Sequence, residues 1–522
     1  MIRNYFNQLE SKVRSYRTRY DTRPRRAAVR LALWNLKCAM RRFAPPYCPP
    51  EHNSPIREDV LRIAIAEGGG IGDACFQTTY IKEIRKMFSR PVVMDFYCRA
   101  NKAFEGFPFI DNCLPYSDDL PTDDYDVFIV SRRFYIIVKM DAEKVKRFSP
   151  RFYEFCADCK RLTGETLNCE YNDNLYSQYC MLLGRNRLEQ ANPHGLISVD
   201  RNTPRYMSWR GDPTDVLRDF GLIGGEYITI NRGAGTPQPG RHPKLWPAEN
   251  YARLVEMLRH EYPQYKIIQI GTPDGAARIP GTNVNLVGRT SIEQVKVILK
   301  YATLHIDGEG GMVHMRRFLN GPSVVFFGPT RADIFGYPEN INLSGQVCNG
   351  GCEWVTPNWF RGCVRGFDTP PCMRAITPQI AFDAVKNYLD NLPRYEFVES
   401  HEKWMPAPDM NVAVIGRAGA AEIAKASARV TVFDTDLSMP DKEFPKNCAY
   451  LDIARRGGFF AEYSTPYNIA GASASFDAVY AENMPECKSP EFFRRECMRL
   501  LRPGGVLVLP DGCFTKCAED MQ

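Results

Sequence analysis

An apolar run at residues 61–66 (LRIAIA) leads straight into Glu67-Gly68-Gly69-Gly70-Ile71-Gly72-Asp73, and a helix-like stretch, 76–88, follows. A β-rich run, a glycine-dense turn and a helix start form the βα unit of a parallel sheet, which brings a ligand close to bare backbone at a helix N-terminus. The turn departs from the dinucleotide fingerprint G-x-G-x-x-G, because the last glycine position counted from Gly68 holds Asp73. A carboxylate at a helix N-terminus is favoured in its ionised form. An acid at that place, beside Gly70 and Gly72, suggests a reaction site as much as a phosphate cradle. The alternative reading is that Asp73 caps the helix.

The same alternation recurs along a chain of 522 residues, long enough for three domains. Residues 58–205 hold β-rich runs at 91–98 and 125–131 besides the first. Residues 206–395 hold runs at 227–231, 265–270, 303–306 and 323–327, with amphipathic helices at 248–260, 291–301 and 377–392. Residues 410–522 start again with runs at 411–415, 429–433, 476–480 and 505–509. Short apolar runs alternating with helical patterns give an α/β class built on parallel sheets.

Residues 1–57 differ. Positions 1–44 carry twelve Lys/Arg against two Asp/Glu, so the rest of a chain of net charge +6 sums to −4. Apolar positions at helical spacing (Tyr5, Leu9, Val13, Tyr16, then Leu33, Trp34, Leu36 and Met40) make this a basic helical extension, broken at Pro24. It reads either as an interfacial helix on an anionic membrane or as a solvated arm or oligomer contact. No recognition motif for nucleic acid accompanies the charge. A proline-rich linker, 45–55, follows. No run approaches the ~20 apolar residues of a membrane span and no signal sequence is evident, so a cytoplasmic protein is expected. Eighteen cysteines at irregular spacing then read as thiols or metal ligands rather than a disulfide framework.

In the second unit Glu309-Gly310-Gly311-Met312-Val313-His314 joins a strand end to a helix start, where dipole and N–H donors favour an anionic diphosphate. Upstream, Gly233-Ala234-Gly235 follows a strand, and Lys244 precedes Leu245-Trp246-Pro247. Downstream lies Gly321–Thr330 (GPSVVFFGPT). In this order, GGGIGD, GAG, KLWP, VGRTS, EGGMVH and GPSVVFFGPT resemble the heptosyltransferase-type glycosyltransferases of family 9, over residues 60–392. The resemblance implies the GT-B fold, two Rossmann-like domains facing across a cleft, to which the alternation at 410–522 adds a third, smaller Rossmann-like domain at the C-terminus. It implies inverting transfer from a nucleotide-diphosphate sugar, such as ADP-heptose, to a glycan or glycolipid acceptor such as lipopolysaccharide core, with no metal required. The resemblance makes Asp73 the catalytic base, Gly70 and Gly72 its acceptor-side loop, and Gly233, Lys244, Glu309, Gly310, Gly311 and His314 the donor-binding set. The family usually carries Asp-Thr/Ser-Gly where this chain has Glu309-Gly310-Gly311.

Cys348, Cys352, Cys363 and Cys372, spaced C-x3-C-x10-C-x8-C, are either a structural zinc set or reduced thiols. Cys156, Cys159, Cys169 and Cys180 read as buried thiols. In the last unit, RLLRPGGVLVL at 499–509 resembles the fifth-strand entry of class I S-adenosylmethionine methyltransferases. Gly416 and Gly419 fall at their glycine loop, and Asp434 or Asp436 at their ribose acid. The chain ends soon after that strand, so a truncated, partner-binding module is expected rather than a second enzyme. A bifunctional glycosyltransferase/methyltransferase, a protein O-glycosyltransferase and a non-catalytic sugar-nucleotide-binding scaffold are the alternatives.

Overall fold

The computed structural model describes most of residues 58–518. Residues 1–57, 167–175, 235–241, 353–358, 401–403, 417–419, 435–459, 482–486 and 519–522, with a few single positions, fall outside the description. The basic extension, Cys169, Gly235, Gly419 and Asp436 therefore lie outside the described residues.

The opening apolar run becomes β1 (Leu61–Glu67), buried on both faces, as a central strand of a parallel sheet must be. It pairs in parallel with β2 (Val92–Cys98) on one side and β4 (Val127–Ser131) on the other. Outside these lie β3 (Asn112–Pro115) and β5 (Tyr135–Met140), the latter antiparallel, giving the order β3-β2-β1-β4-β5. The winding reverses between β1 and β4, and the glycine turn leaves β1 at that switch point, where open α/β sheets bind ligands.

Helix α1 (Ile71–Arg85) carries buried side chains all round, among them Ala74, Cys75, Phe76, Tyr80, Ile81 and Ile84. A helix apolar on every side is enclosed on every side. Its two buried cations are matched: Lys82 donates to the Pro204 carbonyl at 2.9 Å and Arg85 pairs with Asp111 at 2.9 Å. Helix α2 (Pro150–Thr166) covers the β5 side, with Phe155 edge-on to Tyr135.

The second sheet is wholly parallel, in the order β11-β10-β9-β6-β7-β8. Its strands are β6 (Tyr227–Ile230), β7 (Lys266–Gln269), β8 (Val284–Asn285), β9 (Leu304–Gly308), β10 (Ser323–Phe327) and β11 (Ile341–Ser344). Helices α3 (Ala248–Glu261), α4 (Ile292–Tyr301), α5 (Gly311–Phe318) and α6 (Pro378–Asp390) flank it. Ser291 and Gln294 close a reciprocal capping box on α4, the sequence-readable start signal of that helix.

The third sheet holds more strands than the four runs expected from the sequence. It has seven strands in the order β12-β18-β17-β16-β13-β14-β15. Strands β13 (Asn411–Ile415), β14 (Arg429–Asp434), β15 (Phe460–Tyr463), β16 (Phe476–Tyr480) and β17 (Leu501–Leu509) run parallel. Strand β18 (Gly512–Ala518) turns back antiparallel on β17, and β12 (Tyr395–Ser400) pairs antiparallel with β18. The missing outer strand thus comes from the stretch before the unit, and the third sheet begins at 395 rather than 410. Helix α7 (Pro490–Leu500) packs this unit on α4: Phe492 lies 4.3 Å from Tyr301 between ring centroids, and Glu496 pairs with buried Lys300 at 2.6 Å. Ser489 bonds to Asp212 at 2.7 Å on the same seam.

Candidate active site

Gly70 is the N-cap of α1, in extended backbone, and its N–H donates to Asp73 Oδ2 at 3.3 Å. The capping reading of Asp73 is therefore realised, but it occupies one oxygen only. Oδ1 accepts from Arg187 Nη2 at 2.9 Å. Asp73 keeps 40% of its side-chain exposure while Arg187 keeps 4%, so the carboxylate faces the cleft with its cation set behind it. Burial pushes Asp73 up, but the charge and hydrogen bond of Arg187, then His314 and Arg133, outweigh it and hold the carboxyl below its usual range.

Arg187 is a residue that sequence reasoning missed. It stands in the stretch linking the first two sheets, outside any motif, and its backbone N–H donates to the Ile334 carbonyl of the second unit at 2.8 Å. Its guanidinium also donates to the Arg132 carbonyl at 3.2 Å and lies 5.2 Å from the Phe76 ring centroid. Glu67, in the sequence no more than the first residue of the turn, has a role of its own. Its Oε1 accepts from the Gly69 N–H at 2.8 Å and its Oε2 from Gln77 at 3.3 Å. Burial, then the charge of Asp73, pushes its carboxyl up to about 7 against the opposing Arg187. A Cβ on Gly69 would lie 2.6 Å from Asp73 Oδ2 and 2.9 Å from Glu67 Oε1, so glycine there leaves room for both carboxylates.

Across the cleft, Gly310 caps α5 and Gly311 opens it. A Cβ on Gly311 would meet Ile71 Cγ2 at 2.3 Å, and one on Gly72 would meet His314 Cδ2 at 2.4 Å. Phe76 stands edge-on to His314 at 4.9 Å. The two helix starts interlock, so Gly72 and Gly311 are close-approach glycines as well as turn residues. Gly233 is fixed by the same kind of demand: it bridges Ala276, and a Cβ would lie 2.7 Å from the Gly275 carbonyl oxygen.

Glu309 is the hub of the donor side. It pairs with Lys244 and accepts from Thr330 Oγ1 at 3.0 Å, while His314 Nε2 lies 3.3 Å away. Burial pushes its carboxyl up, and Lys244 and His314 more than reverse this, holding it well below the carboxylate range. His314 Nδ1 bonds to Tyr337 at 2.7 Å, so both ring nitrogens are engaged and the imidazole orients Glu309. Lys244 Nζ lies 5.3 Å from the ring centroid of Trp359. Asp73, Glu67, Arg187, Lys244, Glu309 and Trp359 all line one cleft of about 680 Å³, a size suited to a small-molecule site.

Among the described residues no group of three or more His, Cys, Asp or Glu is placed to hold a metal ion. Cys348, Cys352, Cys363 and Cys372 are free thiols. Burial, then the neighbouring Cys348, pushes the Cys372 thiol up to about 12. Among the described residues no helix is long and apolar enough to cross a membrane.

Residues 214–358 match the model of the family described as "Glycosyltransferase family 9 (heptosyltransferase)". The chain contains a glycosyltransferase family 9 domain. That match spans all six strands of the second sheet and every donor-binding residue expected from the sequence, while Trp359 lies just past its end. Among curated proteins, lipopolysaccharide heptosyltransferase 1 of Campylobacter coli is 22% identical over 54% of this chain and 88% of its own length. Among solved structures, the ADP-heptose lipopolysaccharide heptosyltransferase II of E. coli is 15% identical, with 63% of this chain and 98% of that one covered and a TM-score of 0.41. A family 9 glycosyl transferase of Veillonella parvula is 13% identical over 64% and 98%, also with a TM-score of 0.41. With its family 9 domain, the protein is a glycosyltransferase.

Proposed function

We propose that the protein transfers a sugar, heptose being the first candidate, from a nucleotide-diphosphate sugar to a hydroxyl of a surface glycan such as lipopolysaccharide core, with inversion and without a metal. The observation that carries the reading is Asp73, exposed to the cleft and held ionised by Arg187, opposite the helix start at Gly310 and Gly311. Asp73 takes the acceptor proton as the hydroxyl oxygen attacks the anomeric carbon, and the bond from that carbon to the diphosphate oxygen breaks on the opposite face. The charge left on the diphosphate meets the N-terminus of α5 and Lys244. Lys244 is shared with Glu309, so its ammonium is held over the turn before the donor arrives. The family domain and the heptosyltransferase relative support the donor class. The test is a transfer assay with ADP-heptose and a heptose-acceptor glycolipid, with ADP release as readout. Absence of release with every nucleotide sugar offered would favour the scaffold alternative.

A second reading concerns residues 395–518. The seven-stranded sheet, with one antiparallel strand second from its edge, supports binding of S-adenosylmethionine beside Gly416, which has a φ of 86° where the chain leaves β13. Calorimetric titration of the full chain with S-adenosylmethionine tests it, and a flat isotherm returns the unit to a structural role.

A further inference from the structure

We propose that Asn231 and Asp307 form a subsite for a vicinal diol of the nucleotide-sugar donor, an inference that rests on the donor reading above. The two residues sit at the C-terminal ends of β6 and β9, the neighbouring strands between which the second sheet reverses its winding. Asn231 is 6% exposed and Asp307 1%, and both line the cleft. Asn231 Nδ2 donates to Asp307 Oδ2 at 2.9 Å, and His305 Nε2 lies 3.5 Å from the same oxygen.

That arrangement commits one oxygen and leaves two. Among the described residues, Asn231 Oδ1 and Asp307 Oδ1 are both buried with no hydrogen-bond partner. Unpaired buried acceptors are rare in folded proteins and call for an explanation. Here the explanation is a ligand that brings donors. Two acceptors on adjacent strands suit the O–H groups of neighbouring hydroxyls. They repel phosphate, which has only acceptor oxygens at neutral pH, so the subsite stands beside the diphosphate turn and not under it. The segments nearest Asn231 Oδ1 carry no side chain: a Cβ on Gly271 would lie 2.8 Å from it and one on Gly233 3.3 Å. Gly233, assigned to donor binding from the sequence, thereby has a second reason to be glycine.

The diol belongs either to the ribose or to the transferred sugar, and calorimetry with the full chain separates the two. ADP and UDP are compared with their 2′-deoxy and 2′,3′-dideoxy forms, and ADP-heptose with its 2-deoxy-2-fluoro analogue. Loss of one ribose or sugar hydroxyl is expected to weaken binding about tenfold, in the nucleotide series if the ribose is held and in the sugar series if the sugar is held. In Asn231→Ala and in Asp307→Asn that loss shrinks toward onefold. The wild-type series decide the matter alone should either variant fail to fold. Equal binding of all forms by the wild type overturns the subsite and leaves the donor reading standing. No binding of any nucleoside diphosphate or nucleotide sugar overturns both.

Discussion

Arg187 Nη2 stands 2.9 Å from Asp73 Oδ1, with the arginine buried and the carboxylate open to the cleft. An ion pair placed this way fixes the direction in which the carboxylate is free to work. It also keeps the group ionised well into acid. Replacing Arg187 by Ala removes the cation that most strongly opposes the effect of burial on Asp73, so the acid limb of the kcat/KM profile should move to higher pH. A profile that lies over the wild type would show that Arg187 does not set the state of Asp73.

The interlock of the two helix starts makes a second test. Gly72→Ala and Gly311→Ala each drive a methyl into a neighbour at 2.4 Å or less, His314 or Ile71. Overpacking of this kind costs about 1–3 kcal/mol, and here it also wedges the donor side away from Asp73. Both variants should lower Tm and transfer together. Gly70→Ser is the control: the backbone is extended and nothing lies within 4 Å of a Cβ, and serine is a good N-cap. Its Tm should match or slightly exceed the wild type.

Much of this was legible in the sequence. The strand, turn and helix at 61–85 follow from an uninterrupted apolar run, three glycines and the residues after them. Four of the six strands of the second sheet follow from such runs, while the short outer strands β8 and β11 carry too few apolar residues to stand out. Arg187 was not legible, because its role depends on the chain returning between the two sheets to a point beside α1. Asn231 and Asp307 were hidden for a related reason: each ends a strand 76 positions from the other, and only the strand order brings them together. The third sheet looks short in the sequence because its outermost strand beside β18 is β12, the first in chain order, so counting strands forward from 411 finds too few. His314 reads as a phosphate donor from its place in the helix, and the sequence does not show its partners Glu309 and Tyr337.

Glu67 predicts a pH dependence of stability. Its carboxyl titrates near 7 in the folded protein against a usual 4.5, so folding favours the protonated form. The stabilisation is complete below about pH 4.5 and is lost as pH rises through 7, a change on the order of 3 kcal/mol. Glu67→Gln should flatten this slope in urea melts taken from pH 5 to 8. A slope unchanged by the substitution would place the titration elsewhere.

The seam between α4 and α7 should be sensitive to single changes. Lys300 donates to Glu496, Asn468 and the Leu319 carbonyl inside the protein. Lys300→Met leaves the Glu496 carboxylate buried with Arg499 as its remaining ionic partner, and loss of one member of a buried pair costs about 3–5 kcal/mol. Denaturant melts should show that loss, with part of it recovered in Lys300→Met/Glu496→Gln. A single variant as stable as the wild type would mean that the third unit is not held by this pair.

The most direct measurement is the turnover of Asp73→Asn with a nucleotide-sugar donor and a glycolipid acceptor, alongside its Tm and its affinity for the nucleoside diphosphate. The asparagine keeps the shape and one acceptor for Gly70 but cannot take a proton. Transfer should fall by a factor of at least about 10² while Tm and nucleotide affinity stay near the wild-type values. Near-normal transfer by Asp73→Asn would contradict the assignment and leave Asp73 as the cap of α1 alone.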